Sequence, residues 1–260
     1  MAGGATACGD TMDCVLDGRT YRILMPPTKG LTTSPGAIVF MHGWRGSAAG
    51  IMRNQGLRTL ASELGVALVA VKSAGPGWDL PNSPGRGPGR AVEFFDRLLP
   101  HLASAHGIDR RRIIASGFSA GGMVVWELTC RRPRMFAGFA PIAGTFWAPV
   151  PRDCREPRPP IVHIHGTSDQ VVPIAGRPIG PGRQGDVREA IAMAAQLAVA
   201  PERRAAVASL PGEPAGLTCT EQGNQPRATL LLCLHAGGHR LDARHLRHAW
   251  RVFEASGALK

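Results

Sequence analysis

Ser119 sits in Gly117-Phe118-Ser119-Ala120-Gly121, between a short apolar run and a helix-like stretch. A serine hydroxyl is a weak nucleophile until a base takes its proton. A sharp strand-to-helix turn with small neighbours lifts the hydroxyl clear of the backbone, and G-x-S-x-G supplies such neighbours. The base and its orienting acid must come from elsewhere in the chain. His165-Gly166-Thr167-Ser168-Asp169 follows the apolar run Ile161 to Ile164 and offers Asp169. His235-Ala236-Gly237-Gly238-His239 follows Thr229 to Leu234 and offers His239, behind two glycines. His235, at the strand end, is the rival base; His245 and His248 are expected on the solvated face of a closing helix. In this assignment His239 takes the Ser119 proton, and Asp169 orients the imidazole and stabilises its cation. The developing oxyanion needs N–H donors. The backbone of Ala120 is one, and Trp44, in His42-Gly43-Trp44 after the run Ala37 to Met41, is expected to be the other. His42, Trp78 and Trp147 are expected to line the substrate site.

These residues need elements to hold them. Unbroken apolar runs mark strands at Tyr21 to Met25, Ala37 to Met41, Val66 to Val71, Arg112 to Ser116, Phe136 to Ile142, Ile161 to Ile164 and Thr229 to Leu234. Helical spacing marks Ile51 to Leu64, Ala91 to Ala105, Gly122 onward, Asp186 to Val199 with Asp186 as N-cap, and Leu241 to Ala255. Strands that are apolar throughout suit a parallel sheet covered on both faces. The alternation predicts an α/β protein with a mostly parallel sheet and helices on both faces. The chain order nucleophile, acid, histidine, each after a strand, is that of an α/β-hydrolase fold. An N-terminal extension over 1–20 and one catalytic domain over 21–260 are expected. The Gly- and Pro-rich stretch Ser73 to Gly89, which holds Trp78, reads as a loop over the strand ends.

The 260 residues carry a formal net charge of +11, almost all of it arginine, since only Lys29, Lys72 and Lys260 are lysines. The arginines are scattered and aromatics are 5%, so there is no basic stripe of the kind that reads nucleic acid, and none is expected as a partner. No apolar run approaches the roughly 20 residues of a membrane span. Six cysteines, Cys8, Cys14, Cys130, Cys154, Cys219 and Cys233, include no C-x-x-C, which leaves metal and redox motifs without support; no metal is expected. Near-neighbour pairing is their simplest arrangement and implies an oxidising compartment, against buried free thiols as the alternative. Met1 to Asp13 has neither the cationic nor the apolar stretch of a secretory leader.

Taken together, Tyr21-Arg22, His42-Gly43, the string Gly117 to Met123 (GFSAGGM), His165 to Asp169 with Val172-Pro173, and Gly237-Gly238-His239 resemble the secreted esterases of the polyhydroxybutyrate-depolymerase and feruloyl-esterase group. The resemblance spans about residues 20 to 255. It implies a Ser119, Asp169, His239 triad, ester hydrolysis without a cofactor, and a secreted or periplasmic protein. The expected substrate is a small or oligomeric ester, first of the polyhydroxybutyrate type, with feruloyl or acetyl esters of plant polysaccharide, or acyl transfer to an alcohol, as alternatives. Two positions depart from the pattern. Arg240-Leu241-Asp242 follows the histidine where relatives carry Trp-Pro, and Trp44 stands where relatives often have cysteine.

Overall fold

The computed structural model describes residues 8–27, 33–85, 87, 89–154, 160–196, 214–222 and 229–259. Strands β1 (Cys14–Leu16), β2 (Arg19–Leu24), β3 (Ala37–Met41), β4 (Ala67–Val71), β5 (Ile113–Phe118), β6 (Gly138–Ile142), β7 (Ile161–Gly166), β10 (Leu217–Glu221) and β11 (Leu230–His235) form one sheet. Its order is β1-β2-β4-β3-β5-β6-β7-β11-β10. From β4 to β11 the neighbours run parallel, while β1 and β2 at one edge and β10 at the other pair antiparallel. A two-stranded hairpin, β8 (Pro178–Ile179) with β9 (Gly182–Arg183), lies outside it.

Strands β3 and β4 are apolar and buried at every position, as strands covered on both faces are. In β3, Ala37, Val39 and Met41 join one core and Ile38 and Phe40 the other. The first core is closed by α3 (Phe95–His106), α4 (Ala120–Arg131) and α5 (Val187–Gln196). The second is closed by α1 (Ala48–Met52), α2 (Gln55–Glu63) and α6 (Ala243–Ala255). Each fully buried Leu, Ile, Val or Phe contributes about 1.5–3 kcal/mol, so two cores of this size carry the fold. Gly138 lets α6 lie close: a β-carbon there would stand 2.8 Å from the Phe253 ring.

Two expectations change, and a third falls partly outside the described residues. The single helix over Ile51 to Leu64 is two, because Asn54 caps α2, its side chain accepting the Leu57 N–H at 3.1 Å. Asn competes with helical backbone in this way and favours caps over helix interiors. The expected 1–20 extension is part of the sheet: β1 pairs with β2, which begins at Arg19. The helix expected from Asp186 runs to Gln196, and residues 197–199 lie outside the described residues. Asp186 does cap it, accepting the Arg188 N–H at 2.7 Å.

The cysteines pair as neighbours, Cys8–Cys14, Cys130–Cys154 and Cys219–Cys233. The second ties the C-terminal turn of α4 to the segment leading into β7. No helix among the described residues is long and apolar enough to cross a membrane.

Candidate active site

The site assembles at the carboxyl ends of β3, β5, β7 and β11. Ser119 follows β5 with φ 59° and ψ −120°, a left-handed conformation that costs a non-glycine residue about 1–3 kcal/mol. Packing holds it there. A β-carbon on Gly117 would strike the Gly121 backbone, and one on Gly121 would strike the carbonyl of Met41 at the end of β3. Only glycine lets α4 start this close to the sheet, and that start forces the turn. The Ser119 N–H is spent on Ile142 O at 2.9 Å. The next N–H, of Ala120, opens α4 and meets no backbone carbonyl among the described residues. The first N–H groups of a helix lack intrahelical partners and favour negative charge.

The loop after β3 faces this turn: a β-carbon on Gly43 would lie 3.3 Å from Ser119 Cβ. His42 shapes the loop. Its Nε2 accepts the Ser73 N–H at 3.2 Å, so its proton is on Nδ1, which donates to Gly43 O at 2.8 Å. Gly46 N–H donates to the same oxygen at 3.0 Å. In a trans peptide the N–H points opposite to the C=O, so the Trp44 N–H is turned away from His42. It too donates to no backbone carbonyl among the described residues. Burial lowers the His42 pKa, opposed by the Gly43 hydrogen bond, and keeps this ring neutral. His42 is 1% exposed with both nitrogens engaged, so its ring supports the loop.

Asp169 is buried in the turn after β7. Its Oδ1 accepts the N–H groups of Val171 and Val172, each at 2.8 Å, and its Oδ2 lies 2.7 Å from His239 Nδ1. The two loops that meet here are stitched by backbone. Thr167 N–H donates to His235 O at 2.9 Å and Ser168 N–H to Gly237 O at 3.3 Å. Gly166 must be glycine, because a β-carbon would enter the carbonyls of Gly237 and Gly238. Phe118, beside Ser119, packs its ring 4.5 Å from that of His239. Among the described residues the Ser119 hydroxyl makes no hydrogen bond, to His239 or to another group; Phe118 is what joins the two.

Other expected residues fall elsewhere. His235 is buried, its Nδ1 accepts the Gly237 N–H at 3.1 Å, and its ring lies 5.0 Å from His245, so it braces the loop. His245 and His248 lie on the buried face of α6 and not on a solvated one. Trp78 is 7% exposed and donates its Nε1–H to His42 O at 2.8 Å, which anchors the Ser73 to Gly89 loop instead of lining a pocket. Asp79 adds to that anchor by accepting the N–H groups of Gly89 and Arg90. Trp147 is half-buried, and its backbone bridges to Gln184. Trp44, by contrast, is 61% exposed, its ring lying over Gly77.

Residues 90–178 match the Phospholipase/Carboxylesterase family. The chain is 32% identical over 184 residues to "Putative esterase NocK" of Nocardia uniformis subsp. tsuyamanensis, covering 68% of this chain and 53% of the relative. It is 27% identical over 161 residues to the "Bifunctional acetylxylan esterase/xylanase XynS20E" of Neocallimastix patriciarum, covering 60% and 22%. It is 27% identical over 170 residues to the "Probable feruloyl esterase C" of Aspergillus niger, covering 62% and 58%. The chain thus spans less than two thirds of each relative's length. Among solved structures, the Bacillus cereus carboxylesterase superposes with a TM-score of 0.61 at 13% identity, over 92% of this chain and 94% of that one. A carboxylesterase of Mesorhizobium loti gives 0.60 at 15%, over 92% and 98%. With its mostly parallel sheet, its two helical layers and these structural neighbours, the chain has the α/β-hydrolase fold.

Proposed function

We propose that the chain is a serine ester hydrolase working through an acyl-enzyme. The observation that carries this reading is the 2.7 Å contact of His239 Nδ1 with Asp169 Oδ2, beside a serine held at φ 59°. In this reading His239 Nε2 takes the Ser119 proton as the oxygen attacks the ester carbonyl carbon. The tetrahedral oxyanion lies between the N–H groups of Ala120 and Trp44, each worth about 2.7–4 kcal/mol to the transition state. The alcohol leaves with the proton from His239, a water deprotonated by the same ring attacks the acyl-enzyme, and the acid leaves as Ser119 regains its proton. Asp169 holds the ring with Nδ1–H toward itself, which leaves Nε2 free to accept.

The exposed Trp44 ring supports an aromatic acyl group, since a flat apolar face stands on the residue that supplies an oxyanion donor. The relatives' names, feruloyl esterase C and acetylxylan esterase, support esters of plant polysaccharide. Polyhydroxybutyrate-type oligomers and related polyesters are the second reading, supported by the GFSAGGM string, and acyl transfer to an alcohol would use the same three residues. Three disulfides support a secreted or periplasmic setting. The test is a panel of p-nitrophenyl butyrate, methyl ferulate and amorphous polyhydroxybutyrate, with and without an alcohol acceptor. Release of nitrophenol by the protein, reduced to background in Ser119→Ala, is expected. Equal activity in that variant removes the nucleophile and the reading.

A further inference from the structure

Two histidines of β7 take no part in that chemistry, yet both are fully buried behind it. His163 and His165 are two apart on one strand and so face the same side. Their rings stack at 5.2 Å and 29°, with Trp126 of α4 5.5 Å from His163. The hydrogen bonds settle every proton. His165 Nε2 lies 2.7 Å from Val172 O; a carbonyl only accepts, so Nε2 carries the hydrogen. Its Nδ1 is then a lone pair, and His163 Nε2, 3.0 Å away, must donate to it. A second proton on His165 would bring two N–H groups face to face. Burial lowers both pKa values and favours the neutral pair.

This string ends on the orienting acid. The residue whose carbonyl His165 holds is Val172, whose own N–H holds Asp169 Oδ1 at 2.8 Å. The same His165 Nε2 lies 3.6 Å from Oδ2, the oxygen that meets His239. The charged or titratable groups that face His165 are His163 on its own strand, Asp169 after that strand, and His235 and His239 at the end of β11. We propose that His165, held in one tautomer by His163, is a positioning residue for the Asp169–His239 pair: it fixes the Val171–Val172 turn that aims the carboxylate and adds an N–H dipole beside Oδ2. The inference rests on the triad reading above.

The experiment compares His165→Leu, His165→Gln and His163→Phe with the unaltered protein on p-nitrophenyl butyrate, reading kcat, KM, the pH profile of kcat/KM and the melting temperature. Gln keeps an amide N–H where the imidazole Nε2–H was. Phe keeps the stacked ring at position 163 and removes the donor, so this variant is the one expected to stay folded. His165→Leu and His163→Phe are expected to lose about 10- to 100-fold in kcat with KM within about twofold, as small misplacements near the reacting atoms do. The acid limb of their profiles is expected to move, and His165→Gln to recover at least tenfold over Leu. A His163→Phe protein with the original kcat and profile overturns the proposal, as does a Gln variant no better than Leu. Turnover by the unaltered protein with an unmoved profile in the variants removes this inference alone. Absence of ester turnover in the unaltered protein removes the triad reading and this inference with it.

Discussion

Asp169→Asn is the substitution whose outcome the geometry constrains most. Asn keeps the shape of the side chain and one oxygen, and it has two orientations. In the first, the oxygen stays on the N–H groups of Val171 and Val172, and the NH2 faces His239. In the second, the oxygen faces His239 and the NH2 meets two backbone donors that now lie 2.8 Å from Oδ1. The second orientation gives up two hydrogen bonds worth about 0.5–1.5 kcal/mol each, and strands buried donors at about 1–3 kcal/mol each. It regains one bond, so the first orientation wins by a few kcal/mol. Its NH2 then requires His239 Nδ1 to accept, which moves the ring proton to Nε2. In the proposed mechanism, that is the atom that takes the proton from Ser119. The corresponding substitution in an unrelated triad lowers kcat by about 10⁴-fold, or about 5.4 kcal/mol of barrier, and the same loss is expected here. The assay is kcat/KM on p-nitrophenyl butyrate, with intact mass to exclude deamidation back to Asp, and a thermal melt. The melting temperature should hold, because both backbone bonds survive. Activity within tenfold of the unaltered protein, with Asn confirmed at 169, would refute the tautomer argument.

Two further outcomes follow from packing and charge. Gly121→Ala drives a methyl into the Met41 carbonyl, backbone that cannot swing aside, so a loss of about 1–3 kcal/mol or more in urea unfolding is expected. Gly75→Ala meets nothing within 4 Å and should change stability by less than about 0.5 kcal/mol; equal losses at the two sites would contradict the packing. Burial takes the His245 pKa from the ordinary 6.5 to about 4. The unfolded chain then binds more protons than the native one between these values, so this contribution is intact above 6.5 and is lost as pH falls toward 4. Asp242, held at about 2 by its hydrogen bond to Arg244, adds a loss only below 3.8. Melting temperature should therefore fall between pH 6.5 and 4 less steeply in His245→Phe than in the unaltered protein. Parallel slopes would show that His245 is not the group responsible.

Much of the site was legible because its parts are local. A glycine-flanked serine after a strand, an aspartate three residues past a strand end and a histidine behind two glycines each carry their turn chemistry within five or so residues. What escaped depends on contacts between distant segments. Trp78 lies in a stretch with the composition of a loose loop, yet its indole finds the His42 carbonyl and is buried. Phe118 reads as the unnamed position of G-x-S-x-G, and only the fold brings His239 onto its ring. His245 and His248 were misplaced although a signal was present. They fall at helical spacing with Ala249 and Val252, on the face that α6 turns to the sheet. His163 and His165 alternate along an otherwise apolar strand, which announces buried imidazoles but not the Val172 carbonyl that receives their last proton.

The Cys219–Cys233 bridge has a meaning beyond closing a loop. The two residues are directly opposed partners in the ladder of β10 on β11. Sliding the outer strand by one position would turn each of its side chains to the wrong face. A covalent rung between the strands forbids that slip. It also fixes β10 as the outermost strand beside β11 among the described residues. Were β10 to peel off, Leu230 to Leu234 (LLLCL) would become an open edge, apolar and without charge, the kind of template on which other chains stack. The bridge keeps that segment in the interior of the sheet, so for this molecule oxidation guards against self-association as well as unfolding.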